Sequence, residues 1–338
     1  MKKSLAILGV AVLALVSCGK TQVISTESPT PIAFKSVVSS AVKADAQLEG
    51  VNLGDAYGMY VSATQYKADG VLETAAYFTD AEFLPAATPV TAATEYHANP
   101  QLYWPIGNAI MDFVAYAMPV AAHGVAPVAT FPAITDPVAS IVTFAGWDTY
   151  ANQVDLLYAV KNDATTVTNA GAQTVNFEFK HAQALLVFQA QVNTADKIII
   201  NSITIPELKV EGDFIIDNTK NVLNAHWENL ASAPAKDVVA PGADPADDNL
   251  GEALTSATYV QVGSSLLIPQ QPRINFTINY TIGANTMEYT VNLTRGNWEM
   301  GKKYIYQLDI TLNEIIATQV VSDYLDAANL NTETTVLN

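Results

Sequence analysis

The chain carries 338 residues, 33 acidic against 16 basic side chains, and a formal charge of −17. That sign repels phosphate backbones and excludes nucleic acid as a partner. One Cys and four His exclude a disulfide framework and a Cys-based zinc or iron–sulfur site, and no cofactor is expected.

Met1-Lys2-Lys3 is a short basic start, and Ser4 to Val16 is a mostly apolar run of signal-peptide length, too short to span a bilayer. The run ends in Leu15-Val16-Ser17-Cys18. A Leu three residues before Cys18, the small Ser17 directly before it and the absence of any other Cys match a bacterial lipobox. This reading predicts cleavage between Ser17 and Cys18 and acylation of Cys18, which would leave the mature chain exported and anchored by its lipid. An ordinary signal peptide with an incidental Cys is the competing reading. Residues 1–17 are assigned to the signal and 18–30, rich in Ser, Thr and Pro, to a polar tether.

Beyond the tether the apolar pattern has period two. Ile274, Phe276, Ile278 and Tyr280 alternate with polar residues in Arg273–Tyr280, and Glu288–Thr294 and Lys303–Leu312 repeat the pattern. Such alternation marks strands with one buried face. Short connections bearing Gly283, Gly296 and Gly301 predict an antiparallel meander of these three. Tyr57–Ala63, Ile110–Ala117, Val154–Val160, Thr174–Lys180, Ala184–Gln191 and Ile198–Ile205 are further strand candidates. Helices are expected to be few and short. The fold class is therefore all-β, as two antiparallel β-sandwich domains. A polar, turn-rich stretch at Lys161–Gly171 sets the boundary, giving domains 31–170 and 171–338.

Little catalytic chemistry is legible. Gly296–Lys303 has the spacing of a phosphate loop, but Lys303 stands where Ser or Thr is required and a strand pattern follows. Asp244, Asp247, Asp248 and Glu252 form an acidic loop that could take calcium or simply be solvated. His97, His123, His181 and His226 show no metal spacing, and there is no nucleophile elbow, so the chain is not expected to be an enzyme. Trp104, Trp147, Trp227 and Trp298 could form a sugar-stacking platform or pack in the cores.

Several segments carry a resemblance. They are Pro31-Ile-Ala-Phe34 followed by Val42-Lys43-Ala44, Tyr103-Trp104-Pro105 with Met111–Ala117, and Asp155-Leu-Leu157-Tyr-Ala159. Val175-Asn-Phe177-Glu-Phe179-Lys-His181-Ala-Gln-Ala184, Ile200–Ile205 and Gly301-Lys-Lys-Tyr304-Ile-Tyr306-Gln-Leu308 continue the series. In this order they resemble the Bacteroidetes-type (type V) fimbrillins and fimbrillin-like lipoproteins. The resemblance implies transthyretin-like sandwich domains and a subunit of a cell-surface fimbrium that polymerises with other pilin subunits. It also implies a trypsin-like protease that removes the first strand, after which the C-terminal segment of another subunit fills the groove. The strand to be lost would be about Pro31 to Val38, with cleavage at Lys43 or, second, Lys35. Lys43 stands where the family often has Arg, and the only Arg residues are Arg273 and Arg295, so the protease would have to accept Lys. Lys43 could equally be an ordinary surface Lys. The donor would lie in residues 317–338, with Val320, Val321, Tyr324, Leu325, Val336 and Leu337 as its strand-forming residues; alternatively the tail pairs within its own chain. The competing class is a monomeric surface lipoprotein that binds a glycan or a host protein.

Overall fold

The computed structural model describes residues 30–38, 53, 57–91, 93–106, 109–119, 140–149, 153–165, 174–194, 196–205, 208–219, 222–232, 236–237, 251–254, 257–271, 274–293, 297–311, 315–323 and 335–337. Eight strands make up the first half: β1 (Ala33–Val38), β2 (Tyr57–Tyr66), β3 (Leu72–Pro85), β4 (Tyr96–Ala98), β5 (Ile110–Pro119), β6 (Ile141–Asp148), β7 (Leu157–Thr165) and β8 (Thr174–His181). The middle of the chain adds β9 (Ala184–Val192), β10 (Ile198–Ile205), β11 (Lys209–Asp217), β12 (Asn224–Ser232), β13 (Lys236–Asp237) and β14 (Ala253–Leu254). The last six are β15 (Val260–Leu267), β16 (Ile274–Ile282), β17 (Asn285–Leu293), β18 (Lys302–Ile310), β19 (Ile315–Asp323) and β20 (Thr335–Leu337). The all-β class holds, and among the described residues there is no α-helix.

The first sheet does not stay open as one layer of a sandwich. It closes on itself in the order β1-β4-β3-β2-β5-β7-β8, with β8 returning to β1. Its interior is filled by Met59, Val61, Phe83, Phe113, Phe177 and their neighbours. β5 shows why this region reads as a nearly unbroken apolar run. Met111, Phe113, Ala115 and Ala117 point into the barrel, while Val114, Tyr116 and Met118 belong to a second cluster with Val142, Phe144 and Phe214. A strand buried on both faces has no polar side to present. The second cluster is covered by a three-stranded sheet, β12-β11-β6, in which β6 comes from the first half of the chain and β11 and β12 from the second.

The remaining strands form two sheets, β13-β10-β16-β17 with β14 on β10, and β15-β9-β18-β19-β20. Both contribute to one apolar cluster, through Ile200, Ile203, Phe276 and Ile278 from the first and Leu186, Phe188, Tyr306 and Leu308 from the second. The β16–β17 hairpin forms as expected, turning at Gly283 with φ +58. A left-handed residue in a two-residue hairpin loop favours Gly there. The expected three-strand meander stops at that hairpin. β18 crosses to the other sheet, antiparallel to β19 and parallel to β9, and β1 is likewise parallel to β8. Strict antiparallel order is therefore corrected: these partners are far apart in sequence, so no short turn dictates their direction.

The expected division at 161–171 falls between β7 and β8, which are hydrogen-bonded in the same barrel. The chain changes sheet at Ala182-Gln183, and this joint is tied on all sides. His181 Nδ1 lies 2.9 Å from Asp155 Oδ1, with both side chains buried. Ala182 N–H donates to Leu156 O at 2.9 Å, Gly301 N–H donates to Gln183 O at 3.0 Å, and Leu156 N–H donates to Gln183 Oε1 at 3.0 Å. The Trp227 indole N–H donates to Ala182 O at 2.6 Å. β7, β12 and the start of β18 thus meet at two residues.

Glutamine amides stand in for missing strands. Leu266 N–H donates to Gln153 Oε1 at 2.7 Å and Gln153 Nε2 donates to Leu266 O at 3.2 Å, the pair of bonds a strand beside β15 would supply. Gln270 does the same for Lys209, accepting its N–H at 2.9 Å and donating to its O at 2.8 Å. Aspartates pin the left-handed bulges. Asp163 (φ +55) donates its N–H to Asp112 Oδ1, and Asp213 accepts from Gly146 N–H (φ +62) and from Asn229 Nδ2 (φ +53). Burial pushes the Asp112 carboxyl above its ordinary value, partly offset by that bond and by Tyr66.

Two outcomes are expected. Gln153→Ala leaves Leu266 without its surrogate partner and lowers stability by about 1–3 kcal/mol in urea denaturation. A carboxyl whose pKa is raised on folding favours the native state below its unfolded pKa and loses that contribution as pH rises through the folded value. Asp112→Asn, which keeps the acceptor oxygen, should therefore be more stable than the wild type at pH 7. The advantage should vanish once the pH falls below about 3.9, the unfolded carboxyl value. Urea midpoints at the two pH values read this out.

Candidate functional site

The barrel is closed by β1 alone, which lies between β4 and β8. On one side β1 runs parallel to β8 through six residues, from Ala33 opposite Thr174 to Val38 opposite Phe179. On the other it is antiparallel to β4 only at Ala33 and Phe34. The strand is prolonged backwards by Ile32 N–H donating to Leu102 O and Trp104 N–H donating to Thr30 O, at 2.9 and 2.8 Å, and Pro31 bridges Tyr103. Gln101 Nε2 adds a bond to Ile32 O at 3.2 Å.

Side chains alternate along β1 as the pleat requires. Ile32, Phe34 and Ser36 are buried. The Phe34 ring sits among three others, with centroids 4.7 Å from Phe83, 5.2 Å from Phe113 and 4.7 Å from Phe177. Trp104 backs this cage edge-on to Phe113 at 5.8 Å. Such a site is a slot of strand width with an aromatic socket at its middle. Withdrawing β1 would leave β4 and β8 with unpaired edges and would uncover the socket, the condition in which a sheet accepts a strand from elsewhere.

On the outer face Lys35 Nζ lies 3.8 Å from Glu95 Oε1, and that carboxylate also accepts from Thr174 Oγ1 at 2.8 Å and faces His97 Nε2 at 3.5 Å. Glu95 thus touches strands on both sides of β1 and β1 itself. The Lys35–Glu95 pair is partly solvated and contributes at most about 1 kcal/mol. At the far end of the strand, Leu53 is fully buried and its N–H donates to Ser36 Oγ at 3.2 Å. Leu53 returns the chain to the slot beyond the segment that carries Lys43.

The expected site residues divide as follows. Lys35 lies in the middle of β1, opposite Asn176 of β8. Ser17, Cys18, Lys43, Tyr324 and Leu325 lie outside the described residues, as do His123, Asp244, Asp247 and Asp248. Val320 and Val321 lie in β19, opposite Ile305 and Tyr304 of β18. Val336 and Leu337 lie in β20, opposite Thr318 and Ala317 of β19. Trp104, Trp147 and Trp298 are buried, so the four tryptophans do not form one exposed platform; only Trp227 is half-exposed. Sequence reading missed Glu95, Thr174 and Leu53. Of this stretch the sequence singled out only the Tyr103-Trp104-Pro105 block, as part of the family resemblance and not as a partner of the first strand.

A family model described as fimbrillin-like matches residues 46–323. The chain belongs to the fimbrillin-like family. No curated protein matches it. Among solved structures, the fimbrillin fold is similar to that of a proposed cell adhesion protein from Bacteroides ovatus, with 15% identity, 88% of this chain and 99% of that one covered, and a TM-score of 0.52. A second proposed cell adhesion protein, from Bacteroides uniformis, gives 15% identity, 87% and 98% coverage and 0.51. A fimbrial protein from Bacteroides vulgatus gives 15%, 86% and 99%, and 0.50. The family is one of structural fimbrial proteins.

In the intact chain, Phe34→Ala should lower stability by about 3–5 kcal/mol, the cost of emptying a filled aromatic socket. Lys35→Met should change it by less than about 1 kcal/mol, because its ion pair is partly solvated. Paired urea melts of the two variants separate the inner face of β1 from the outer.

Proposed function

We propose that this fimbrillin is a structural or adhesive subunit of a cell-surface fimbrium. It is exported as a lipoprotein anchored by Cys18 in the outer membrane and assembled by strand exchange once β1 has been cut away. The observation that carries the reading is the slot: one short strand closes the barrel and plugs an aromatic socket. Cleavage at Lys43 fits this geometry better than cleavage at Lys35. A protease must draw the scissile bond into its own cleft, and the Lys35 backbone belongs to the β8 ladder. Lys43 follows β1 and precedes Leu53, so a cut there frees β1 without touching the rest of the barrel.

The donor in this scheme is the part of the tail after Asp323. β19 is laddered to β18 through nine residues and β20 to β19 through only three, which favours Val336 and Leu337, with Tyr324 and Leu325, over Val320 and Val321 as the residues that leave. From residue 324 to 338 the chain can reach about 50 Å when extended, at ~3.3 Å per residue. The natural division of the subunit is at Ala182-Gln183, with the barrel and its cover on one side and the paired sheets on the other. The partners are other subunits, a Lys-tolerant trypsin-like protease and the lipid bilayer.

Intact mass and N-terminal sequencing of protein sheared from cells test the scheme. Wild-type fimbriae should contain chains that begin at Ala44, and Lys43→Ala should leave acylated, monomeric chains that begin at Cys18. Assembled fimbriae whose subunits all retain Cys18 would refute strand exchange by this route.

A further inference from the structure

Beside the joint, a groove of ≈ 350 Å³ opens on the seam between two apolar clusters. Trp227 and Met300 are the half-buried margin of the cluster beneath the three-stranded sheet, and Trp298 belongs to the C-terminal cluster. The seam is incompletely filled where they meet. Trp298 is 1% exposed and gives its indole N–H to Tyr306 Oη at 2.9 Å, so it is wall. Trp227 rests against Phe214, with ring centroids 5.1 Å apart, and its N–H is committed to Ala182 O. What Trp227 offers the groove is therefore ring surface, held in a fixed orientation.

The rim is polar. Gln271 is exposed beside Pro269, and His226 presents a side chain that is 37% exposed. Asn297 Nδ2 donates to Glu299 Oε1 at 2.9 Å. That bond fixes both groups and spends only one donor and one acceptor, leaving the amide oxygen and the second carboxylate oxygen as acceptors. Pyranose rings have the complementary form: one face of C–H groups for an aromatic ring and a rim of hydroxyls for amides and carboxylates.

We propose that this groove binds one neutral pyranose unit of a glycan. The volume stands at the low end of ligand sites, which run from about 300 to 1,000 Å³, and suits a single ring. Glu299 at the rim and a chain charge of −17 disfavour acidic sugars. An extended peptide is disfavoured too. The groove runs beside β12, which among the described residues pairs with β11 alone, but the left-handed Asn229 and the charged Glu228 break that edge as a template for another strand. The assignment rests on the groove alone and stands whether or not the chain polymerises.

The test uses the full chain and the methyl glycosides of galactose, glucose, mannose and N-acetylglucosamine, with methyl sialoside as the acidic control. Saturation-transfer NMR and tryptophan fluorescence give the affinities. At least one neutral glycoside should bind with Kd of about 1–10 mM, the range a single ring of this size can reach. Gln271→Ala and Asn297→Ala should each weaken binding about three- to tenfold while leaving the melting temperature unchanged, since each removes one rim hydrogen bond. Trp227→Phe should also weaken it; the two rim variants keep the test valid if that one misfolds. The proposal falls if no neutral glycoside binds saturably up to about 20 mM, a free energy near −2.3 kcal/mol. It falls equally if both rim variants bind as the wild type does, if the sialoside binds as well as the neutral sugars, or if a strand-forming peptide occupies the groove instead.

Discussion

Barrel closure is the constraint on which the other features depend. A closed sheet has no edges, and closure alone removes the hazard of unpaired strands. Here closure runs through six residues, Ala33–Val38, held along their whole length by β8 and for only two residues by β4. The contacts are unequal across the strand. Its inner face buries Ile32 and Phe34, worth about 1.5–3 kcal/mol each, whereas its outer face carries a partly solvated ion pair worth at most about 1. The strand is thus retained by its fit to the aromatic socket and by its backbone ladder. Any strand that offered a comparable ladder and a large apolar side chain at the position of Phe34 would satisfy the same slot.

The rest of the barrel is held by contacts that do not depend on β1. β5 and the first part of β7, Leu157–Val160, are packed on both faces, inward among the barrel core and outward beneath the three-stranded sheet. The cover is itself stitched from both halves of the chain, because β6 pairs with β11. At Ala182-Gln183 four hydrogen bonds converge from three directions. None of these contacts involves β1. The strand that closes the barrel is therefore separate from the framework that positions the barrel on the second half of the molecule. Gln153 blunts the β15 edge with the two bonds of a strand and without offering a strand to add to, and Gln270 makes the same pair of bonds to the central strand β11 at Lys209.

Where alternation was clean, the sequence was legible almost to the residue. β8 carries Val175, Phe177 and Phe179 inward and Asn176, Glu178 and Lys180 outward, and its limits match expectation within one residue. β11 and β12 were not read as strands, because Gly212, Asp213, Glu228 and Asn229 interrupt the pattern at their bulges. Parallel ladders have no local signature at all. Nothing near Ala33 or Thr174 announces their pairing, so an all-antiparallel arrangement was the natural expectation and barrel closure was not foreseen. The same holds for the site. Pro31-Ile-Ala-Phe34 was visible through its resemblance to a family opening strand, but no pattern in the sequence marks Glu95, whose place is set only where β1, β4 and β8 come together around it.

Cutting the chain near Lys43 would change none of the contacts that hold β1; it would change only its effective concentration. While the chain is intact, β1 is tethered to its own slot through the short stretch up to Leu53, and a short tether keeps a segment at about millimolar effective concentration. After the cut, β1 competes with an incoming donor as a separate molecule. Cys18 lies on the same side of Lys43 as β1. On the proposed reading one bond therefore joins the body of the subunit both to its closing strand and to its membrane anchor. Acyl chains that keep the leaving fragment in the bilayer also keep it away from a body that moves outward with a growing fibre. Loss of the anchor and opening of the slot then become a single event, and a subunit still fixed to the membrane by Cys18 is also one whose slot is still closed.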